Sequence, residues 1–395
     1  MLLGPPPPLD LALEKAQTPP FLVRRDGGLV LVSYRERGAG TQPSWDPVTR
    51  ELRGIIYREA TGEVVSRPFH RFFNLGDPRC GVDPSRSLGP GDYIGPKEDG
   101  RLLQAFFLEG ALRFATRGSL RLSPEDERAL RRSWTLDHEA LAVRAREVLG
   151  PVTLLFEVLD PERPIMVRPE APKAVLLAVR HIPTGRYWLP GVSQELREVL
   201  GGLRVPHVVW EPAGSASLQE VHQSILEREG VEGFVVWLAQ GDFVKLKTRW
   251  ALGFTGERGD LERFLEAFRI AFYEERLDDL QAGIGEGPYR QVFSFLMSRL
   301  EDLVREAVAQ AEAVRGLPRR EAYEGLRRVL GAKPQGLLLL NVALRAYDRG
   351  EGEAWEALKR EMKRAGRGIL KDLLAESGFN VGGIPVRGWS AFLEE

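Results

Sequence analysis

The sequence predicts an α+β protein in which a half built mainly of antiparallel strands is followed by an all-helical C-terminal domain. Up to about residue 258 the chain consists of short runs rich in β-branched and aromatic residues, bounded by Gly, Pro or acidic turns. From Asp260 onward the apolar residues recur three and four positions apart, which is the period of an amphipathic helix. With 395 residues, 43% of them hydrophobic, the chain has enough material for two globular domains.

The strand runs of the first half are joined by tight turns. The sequences TGE at 61–63, LEG at 108–110 and QGD at 240–242 each connect two runs and predict antiparallel hairpins. Helical stretches at 124–148 and 217–229 lie between groups of strands. The predicted strands cover residues 27–34, 53–59, 63–69, 101–107, 111–117, 153–159, 173–181, 233–239 and 242–248.

The second half predicts helices alone. Its apolar spacing runs through residues 261–272 and 296–311 and continues in 319–330 and 353–374. We therefore place the boundary near residues 250–260. The predicted domains are 1–258, in which 1–45 form a lead-in with the first strands, and an all-α domain over 259–395.

Composition limits the possible partners and compartments. The formal net charge of −1 means that a nucleic acid would have to be bound by a local basic face. Cys80 is the single cysteine, which excludes an internal disulfide and a Cys-based zinc site. The N-terminus has four consecutive prolines and no basic leader, and no apolar run approaches the roughly 20 residues of a membrane span. We expect a cytoplasmic protein without membrane association.

The stretch DFVKLKTRW at 242–250 places two lysines on one face of a strand. Side chains alternate along a strand, so Lys245 and Lys247 project together, about 7 Å apart, while Val244 and Leu246 point the other way. One interpretation is a charged edge strand that discourages aggregation. The other is an anion site, because neighbouring like charges repel unless an anion lies between them. The chain has neither GxxxxGK[ST] nor GxGxxG, so side chains on strands would have to bind such a polyphosphate.

A series of motifs occurs in a fixed order between residues 50 and 250. They are RGIIYREATGEVVSRPFHRFFN at 53–74, KEDG at 97–100, FATRGSL at 114–120, LLFEVLDPERPIMV at 154–167, VEGFVV at 231–236 and DFVKLKTRW. In this order the sequence resembles the ATP-dependent RNA ligases of the T-even bacteriophage type and their thermophilic phage relatives. The resemblance implies that the first domain has the antiparallel fold of the covalent nucleotidyltransferases, an adenylation domain.

The resemblance identifies Lys97 as the nucleophile that forms a covalent lysyl-AMP with ATP. An amine attacks phosphorus only when it is unprotonated, and nearby cations favour its neutral form. Lys245, Lys247, Arg53 and Arg117 would supply those cations and also hold the triphosphate.

The two glutamates of the motifs also receive roles from the resemblance. Glu157 is similar to the carboxylate that binds the ribose hydroxyls of the nucleotide, and Glu232 to the acid that holds a catalytic Mg²⁺ or Mn²⁺ through water. Asp278 and Asp279 resemble further acidic residues near that metal, although Asp pairs also decorate helices. Either glutamate would otherwise be an exposed strand charge.

The adenine base and its loop are assigned in the same way. Phe73 resembles the aromatic residue that stacks on adenine, but Phe72 offers the same ring, and Phe73 would otherwise be a core aromatic. Gly100 would allow the backbone to approach the nucleotide, and Asp99 would fix the turn. His70 lies beside these residues, and a surface position is favoured over contact with the nucleotide.

The chain departs from the family pattern at three positions. Arg71 replaces the lysine before Phe-Phe-Asn. The change preserves a phosphate contact, but a planar guanidinium group takes the place of a compact ammonium group. Arg101 replaces a serine after the nucleophile motif, and Ala251 replaces a tyrosine after Trp250.

The resemblance implies that the protein joins 5′-phosphate and 3′-hydroxyl ends of single-stranded RNA as a monomer, including circularisation. Single-stranded DNA or tRNA-like breaks are further candidate substrates. DNA ligases and capping enzymes share the lysine chemistry but append an OB-fold where this chain predicts helices. A non-catalytic nucleic-acid-binding relative is the remaining alternative. The joint presence of the five residues with an expected role in the chemistry argues against a non-catalytic relative. They are Lys97, Glu157, Glu232, Lys245 and Lys247.

Overall fold

A computed structural model describes most of the chain, namely residues 4–18, 20–34, 45–77, 79–165, 167–252, 260–273, 277, 280–281, 288–333, 335–377, 380–381 and 384–385. The chain divides into two compact units, and the division falls between Ala251 and Leu252.

The first unit begins with a four-stranded antiparallel sheet. Its strands follow one another in chain order, and its core contains Val30, Val32 and Tyr57. The elements are α1 (Leu9–Lys15), β1 (Phe21–Asp26), β2 (Leu29–Tyr34), α2 (Pro47–Glu51), β3 (Ile55–Arg58) and β4 (Val64–Ser66).

A second, five-stranded antiparallel sheet has the order β11-β10-β9-β7-β8. Helices cover one of its faces, where Leu141 and Ala145 pack against Phe156. The strands are β7 (Arg101–Leu108), β8 (Ala111–Thr116), β9 (Val152–Leu159), β10 (Lys173–His181) and β11 (Tyr187–Trp188), and the helices are α3 (Pro124–Ser133), α4 (Leu136–Leu149) and α5 (Gln194–Leu200).

A third sheet of five strands has the order β12-β6-β13-β14-β5, in which only the β14–β5 pair is parallel among the described strands. Its elements are β5 (Phe73–Asn74), β6 (Tyr93–Pro96), β12 (Glu211–Pro212), α6 (Leu218–Ile225), β13 (Gly233–Leu238) and β14 (Asp242–Lys247). Helix α6 packs on one face through Leu218 and Ile225. The other face meets the second sheet, where Phe243 shares a core with Leu155 and Val175.

The second unit is built from helices around one apolar core that includes Phe268, Leu300 and Leu358. The helices are α7 (Asp260–Tyr273), α8 (Pro288–Ala313), α9 (Arg319–Leu330), α10 (Gly336–Arg349), α11 (Glu351–Ala365) and α12 (Gly368–Ser377), followed by the short strands β15 (Asn380–Val381) and β16 (Ile384–Pro385). Within the described part of the chain, no helix has the length and apolar character that crossing a membrane requires.

The predicted α+β class is confirmed, and all nine predicted strands are present. The three predicted hairpins are antiparallel pairs. Three helical predictions were too long. Residues 124–148 form two helices, the second capped by Thr135, the helix predicted over 217–229 spans only Leu218–Ile225, and 353–374 are broken near Gly366, where φ is +60°. The strand predicted over 63–69 ends at Ser66, after which the chain is irregular but buried.

A buried ion cluster joins α2, β10 and the irregular segment that follows β4. The carboxylate of Glu51, at the end of α2, accepts hydrogen bonds from Arg180 Nη2 at 2.7 Å and Arg67 Nη2 at 3.0 Å. All three side chains are at most 4% exposed. Burial alone would raise the pKa of Glu51, but Arg180 and Arg67 outweigh it and lower the pKa to about 2.

We expect Glu51→Gln to lower the free energy of unfolding by about 3 to 5 kcal/mol, because it leaves two buried guanidinium groups without a counter-charge. The pKa of Glu51 is depressed in the folded state, so its stabilisation is complete above pH 4.5 and is lost as the pH falls toward 2. Urea denaturation between pH 7 and 3 measures both effects.

The matched control is Glu59→Gln, which removes an exposed ion pair with Arg25. This change should cost less than about 1 kcal/mol at any pH. Equal losses in the two variants would contradict a special role for the buried cluster.

Candidate active site

A buried carboxylate bridges two lysines at the ends of three adjacent strands. Glu232 immediately precedes β13 and is 1% exposed. Its Oε2 accepts a hydrogen bond from Lys97 Nζ at 2.5 Å, and its Oε1 accepts one from Lys247 Nζ at 2.8 Å. Strand β13 lies between β6, which leads to Lys97, and β14, which ends at Lys247. The strand order therefore brings the three predicted residues into contact.

The lysine face of β14 is confirmed. Val244 and Leu246 pack against helix α6, whereas Phe243 faces the second sheet, so Lys245 and Lys247 lie on the side of Phe243. The two lysines are only 8% and 6% exposed. The edge-strand interpretation is wrong, because β14 has β13 on one side and β5 on the other. Buried ammonium groups in an interior strand require a counter-charge or an anionic ligand.

Phe72, not Phe73, lies on the lysine face. Lys245 Nζ is 5.3 Å from the centre of the Phe72 ring, and Arg53 Cζ is 5.7 Å from it. Phe73 pairs with Val244 across the parallel β5–β14 ladder and shares the core on the α6 side. It is 2% exposed, so its position does not support the expected stacking on adenine.

Glu157 holds the turn that follows Lys97. Its Oε1 accepts a hydrogen bond from the backbone N–H of Gly100 at 3.1 Å. A Cβ at Gly100 would lie 2.4 Å from the carbonyl oxygen of Val158, so this close approach requires glycine. Asp99 is also fixed, because its Oδ2 accepts from the backbone N–H of Val167 at 2.6 Å. The loop that contains Lys97 and Gly100 is thus attached to β9 and to the segment after it.

Two arginines pack on an aromatic group formed by Tyr34, Trp45 and Phe73. The guanidinium of Arg71 is 4.4 Å from the ring centres of both Tyr34 and Trp45 and 5.1 Å from that of Phe73. Arg117 lies 5.2 Å from the Tyr34 ring. Cation–π contacts of this kind fix the positions of guanidinium groups. Tyr34 had no signal in the sequence, since only the fold brings β2 to these arginines.

Arg53 is linked to Arg117 through its neighbour Gly54. Gly54 has φ +94°, and a Cβ there would lie 2.7 Å from the carbonyl oxygen of Arg117. Nη1 of Arg53 is buried and has no hydrogen-bond partner in the described protein. A buried unsatisfied donor of this kind fits an anionic oxygen supplied by a ligand.

Other predicted residues do not join the cluster. Asp278 and Asp279 lie outside the described residues, and among the residues that are described no three His, Cys, Asp or Glu side chains are arranged to hold a metal. Arg101 turns toward the loop after β9, where its Nη1 donates to the carbonyl of Arg163 at 3.1 Å. Beside Lys97, burial raises the pKa of Glu98, although Lys173 and Lys97 oppose the change.

We expect Gly100→Ala to displace the loop that contains Lys97, because the added methyl group would overlap the backbone of β9. The unfolding free energy should fall by about 1 to 3 kcal/mol, and nucleotide binding measured by calorimetry should weaken. Gly89→Ala is the matched control, because its added Cβ would meet nothing within 4 Å. Wild-type nucleotide affinity in Gly100→Ala would contradict this account of the loop.

Comparisons with known proteins identify the family of the chain. A family model described as RNA ligase, of the phage T4 type, matches residues 51–251, just over half of the chain. RNA ligase 1 of bacteriophage TS2126 is 40% identical over 94% of this chain and 93% of its own length. A putative RNA ligase of Thermovibrio ammonificans is 30% identical over 78% of this chain and 79% of its own length.

Among solved structures, an archaeal ATP-dependent RNA ligase aligns with a TM-score of 0.41 and 13% identity over 75% of this chain and 78% of that one. On the strength of the family model and the two sequence relatives, the chain belongs to the RNA ligase family of the phage type.

Proposed function

We propose that this chain is an ATP-dependent RNA ligase that joins 5′-phosphate and 3′-hydroxyl ends of single-stranded RNA through a lysyl-AMP on Lys97. The observation that carries the proposal is the bridge from Glu232 to Lys97 and Lys247 beside Lys245 and Glu157. Intramolecular circularisation belongs to the same activity, and single-stranded DNA and tRNA-like breaks are further substrates to test. The enzyme acts as a monomer in the cytoplasm.

In the first step the amine of Lys97 attacks the α-phosphorus of ATP. A P–N bond forms, and the P–O bond to pyrophosphate breaks. The ion pair with Glu232 stabilises the ammonium form of Lys97, so the proton must leave before attack. Oε2 of Glu232 is an acceptor for it at 2.5 Å. Lys245 and Arg53 favour the neutral amine, because positive neighbours disfavour a further positive charge.

The next two steps transfer the AMP and then release it. An oxygen of the RNA 5′-phosphate attacks the adenylyl phosphorus, the P–N bond breaks, and the leaving nitrogen of Lys97 takes up a proton to return to its amine form. The RNA 3′-hydroxyl then attacks the 5′-phosphorus, which forms the phosphodiester and releases AMP. Lys97 takes part as nucleophile and leaving group in the first two steps but not in the third.

The residues of the candidate site fit a nucleoside triphosphate. Nη1 of Arg53 provides an unused donor, and Arg71 and Arg117 provide two more guanidinium groups. Glu157 would accept from the ribose hydroxyls, and the ring of Phe72 is the aromatic surface on the lysine side.

A divalent cation, Mg²⁺ or Mn²⁺, fits with one condition. Glu232 is the carboxylate that would hold it through water, and both of its oxygens already accept from lysines, so those hydrogen bonds must rearrange. The predicted Asp278 and Asp279 would add further charge. When bound, the ion would neutralise phosphate charge.

The helical second unit favours an RNA ligase over the alternatives. DNA ligases and capping enzymes place an OB-fold after the last lysine motif, whereas the described residues from 260 to 377 are helical. We assign strand placement to the predicted domain 259–395. The intact lysine and glutamate cluster disfavours a non-catalytic relative.

The test is end joining of a 5′-³²P-labelled single-stranded RNA with ATP and Mg²⁺. The wild type should convert the label to a phosphatase-resistant form, and Lys97→Ala should reduce the rate roughly a thousandfold or more. Lys97→Ala should still join RNA that carries a preformed 5′-adenylate, because the third step does not use the lysine.

The matched control is Lys15→Ala, which removes a half-exposed lysine paired with Asp46. Its joining rate should equal that of the wild type. Joining of 5′-phosphate RNA by Lys97→Ala at the wild-type rate, or wild-type activity confined to nicked duplex DNA, would contradict the proposal.

A further inference from the structure

The segment from Arg67 to Phe72 is buried although it forms neither helix nor strand. Buried backbone groups outside regular structure need other hydrogen-bond partners. Side chains from distant elements provide them here. The N–H of Arg67 donates to Thr153 Oγ1 at 2.8 Å, and the carbonyl of Pro68 accepts from Arg180 Nη1 at 2.6 Å. The segment is therefore anchored to the second sheet at its beginning.

His70 is the centre of a second set of contacts in this segment, and its side chain is fully buried. Nδ1 lies 2.9 Å from Tyr187 Oη, and Nε2 lies 2.9 Å from Asp242 Oδ1. Arg50 Nη2 donates to both oxygens of Asp242, at 2.8 and 2.9 Å. Arg50 Nε also donates to the carbonyl of Arg71 at 2.8 Å.

The charges of this network fix the direction of its hydrogen bonds. Burial, aided by Arg180 and Arg50, lowers the pKa of His70 to about 4, although Asp242 opposes the change. Burial would raise the pKa of Asp242, but His70 and Arg50 outweigh it and lower that pKa. At neutral pH the carboxylate is ionised, so Nε2–H donates to it, and Nδ1 accepts from the hydroxyl of Tyr187.

The two partners of His70 belong to different sheets. Tyr187 is on β11 of the second sheet, whose strand β9 carries Glu157, and Asp242 begins β14, which carries Lys245 and Lys247. Apolar contacts of the same segment also join the two sheets. The ring of Phe69 stacks on Tyr187 at 5.6 Å and meets Phe243 edge-on at 5.3 Å. The chain of contacts from Tyr187 through His70 to Asp242 thus connects the two sheets near Phe72.

We propose that His70 is a positioning residue for lysine adenylylation, because its contacts with Tyr187 and Asp242 hold the Glu157 sheet and the lysine strand at the spacing that ATP requires. The inference rests on the proposed function. It assigns a role to a position that the surrounding motif leaves unspecified. His70 contributes no group to the reacting atoms and acts through the placement of Lys245 and Phe72.

The test measures self-labelling with α-³²P ATP as a function of ATP concentration. His70→Leu, which removes both side-chain contacts and keeps only the backbone N–H of His70 donating to Tyr187 Oη, should raise the ATP concentration for half-maximal labelling about tenfold. His70→Gln, whose amide can still donate to Asp242, should stay within about threefold of the wild type. Recovery in His70→Gln distinguishes a hydrogen-bonding role from simple filling of space.

Tyr187→Phe supplies an independent test if His70→Leu does not fold. It removes only the hydroxyl group and should raise the half-maximal ATP concentration about fivefold. Tyr57→Phe is its matched control, because the Tyr57 hydroxyl is also buried and donates to the carbonyl of Pro7 at 3.0 Å. The melting temperatures of the two tyrosine variants should fall by similar amounts, with unchanged ATP dependence in Tyr57→Phe.

Two results would contradict different parts of this account. Wild-type ATP dependence in folded Tyr187→Phe and in folded His70→Leu would overturn the positioning role while leaving the proposed function intact. A wild-type protein that takes no label from ATP would contradict the proposed function and this inference with it.

Discussion

The site depends on one buried carboxylate that holds two ammonium groups. Moving charges out of water is costly, and Glu232 offsets this cost by contacting the buried Lys247 at 2.8 Å and the partly buried Lys97 at 2.5 Å. The carboxylate is in turn fixed by its backbone. Gly233 beside it has φ +153°, and a Cβ there would lie 2.2 Å from the carbonyl oxygen of Leu246. Glycine at this position thus lets the strand approach β14 closely enough for the bridge to form.

In the proposed mechanism this bridge also determines the order of events. Glu232 is paired with both lysines, and only an unprotonated amine attacks phosphorus, so a proton must first leave Lys97. A triphosphate bound by Arg53, Arg71 and Arg117 would attract Lys247 away from the carboxylate, because phosphate oxygens compete for the same donors. Glu232 would then be available to receive the proton of Lys97. Binding of the triphosphate and activation of Lys97 would thus be coupled through one side chain.

The sequence alone predicted those features that depend on local periodicity. Alternation along β14 placed Lys245 and Lys247 together, and the turn residues predicted the three hairpins. The position of Phe72 was undecidable from the sequence, because it follows from the parallel pairing of β5 with β14, two segments far apart in the chain. The contact of Lys97 with Glu232 likewise spans 135 positions.

The burial of His70 could not be predicted from the sequence either. A polar residue in an irregular segment is expected at the surface, and that expectation was wrong. Its partners Tyr187 and Asp242 lie 117 and 172 positions away, so no local pattern marks it as buried. Short-range sequence patterns predict the strands and helices of this fold, whereas the contacts that complete the site depend on which strands pair with one another.

The most direct measurement asks whether Lys97 itself carries the nucleotide. After incubation with ATP and Mg²⁺, peptide mapping by mass spectrometry should find one added AMP, removed by acid, on the peptide that contains Lys97. Lys97→Arg, which keeps a positive charge opposite Glu232 but has no attacking amine of the same kind, should be folded and carry no AMP. An AMP adduct on any other residue, or an adduct that persists in Lys97→Arg, would contradict the account.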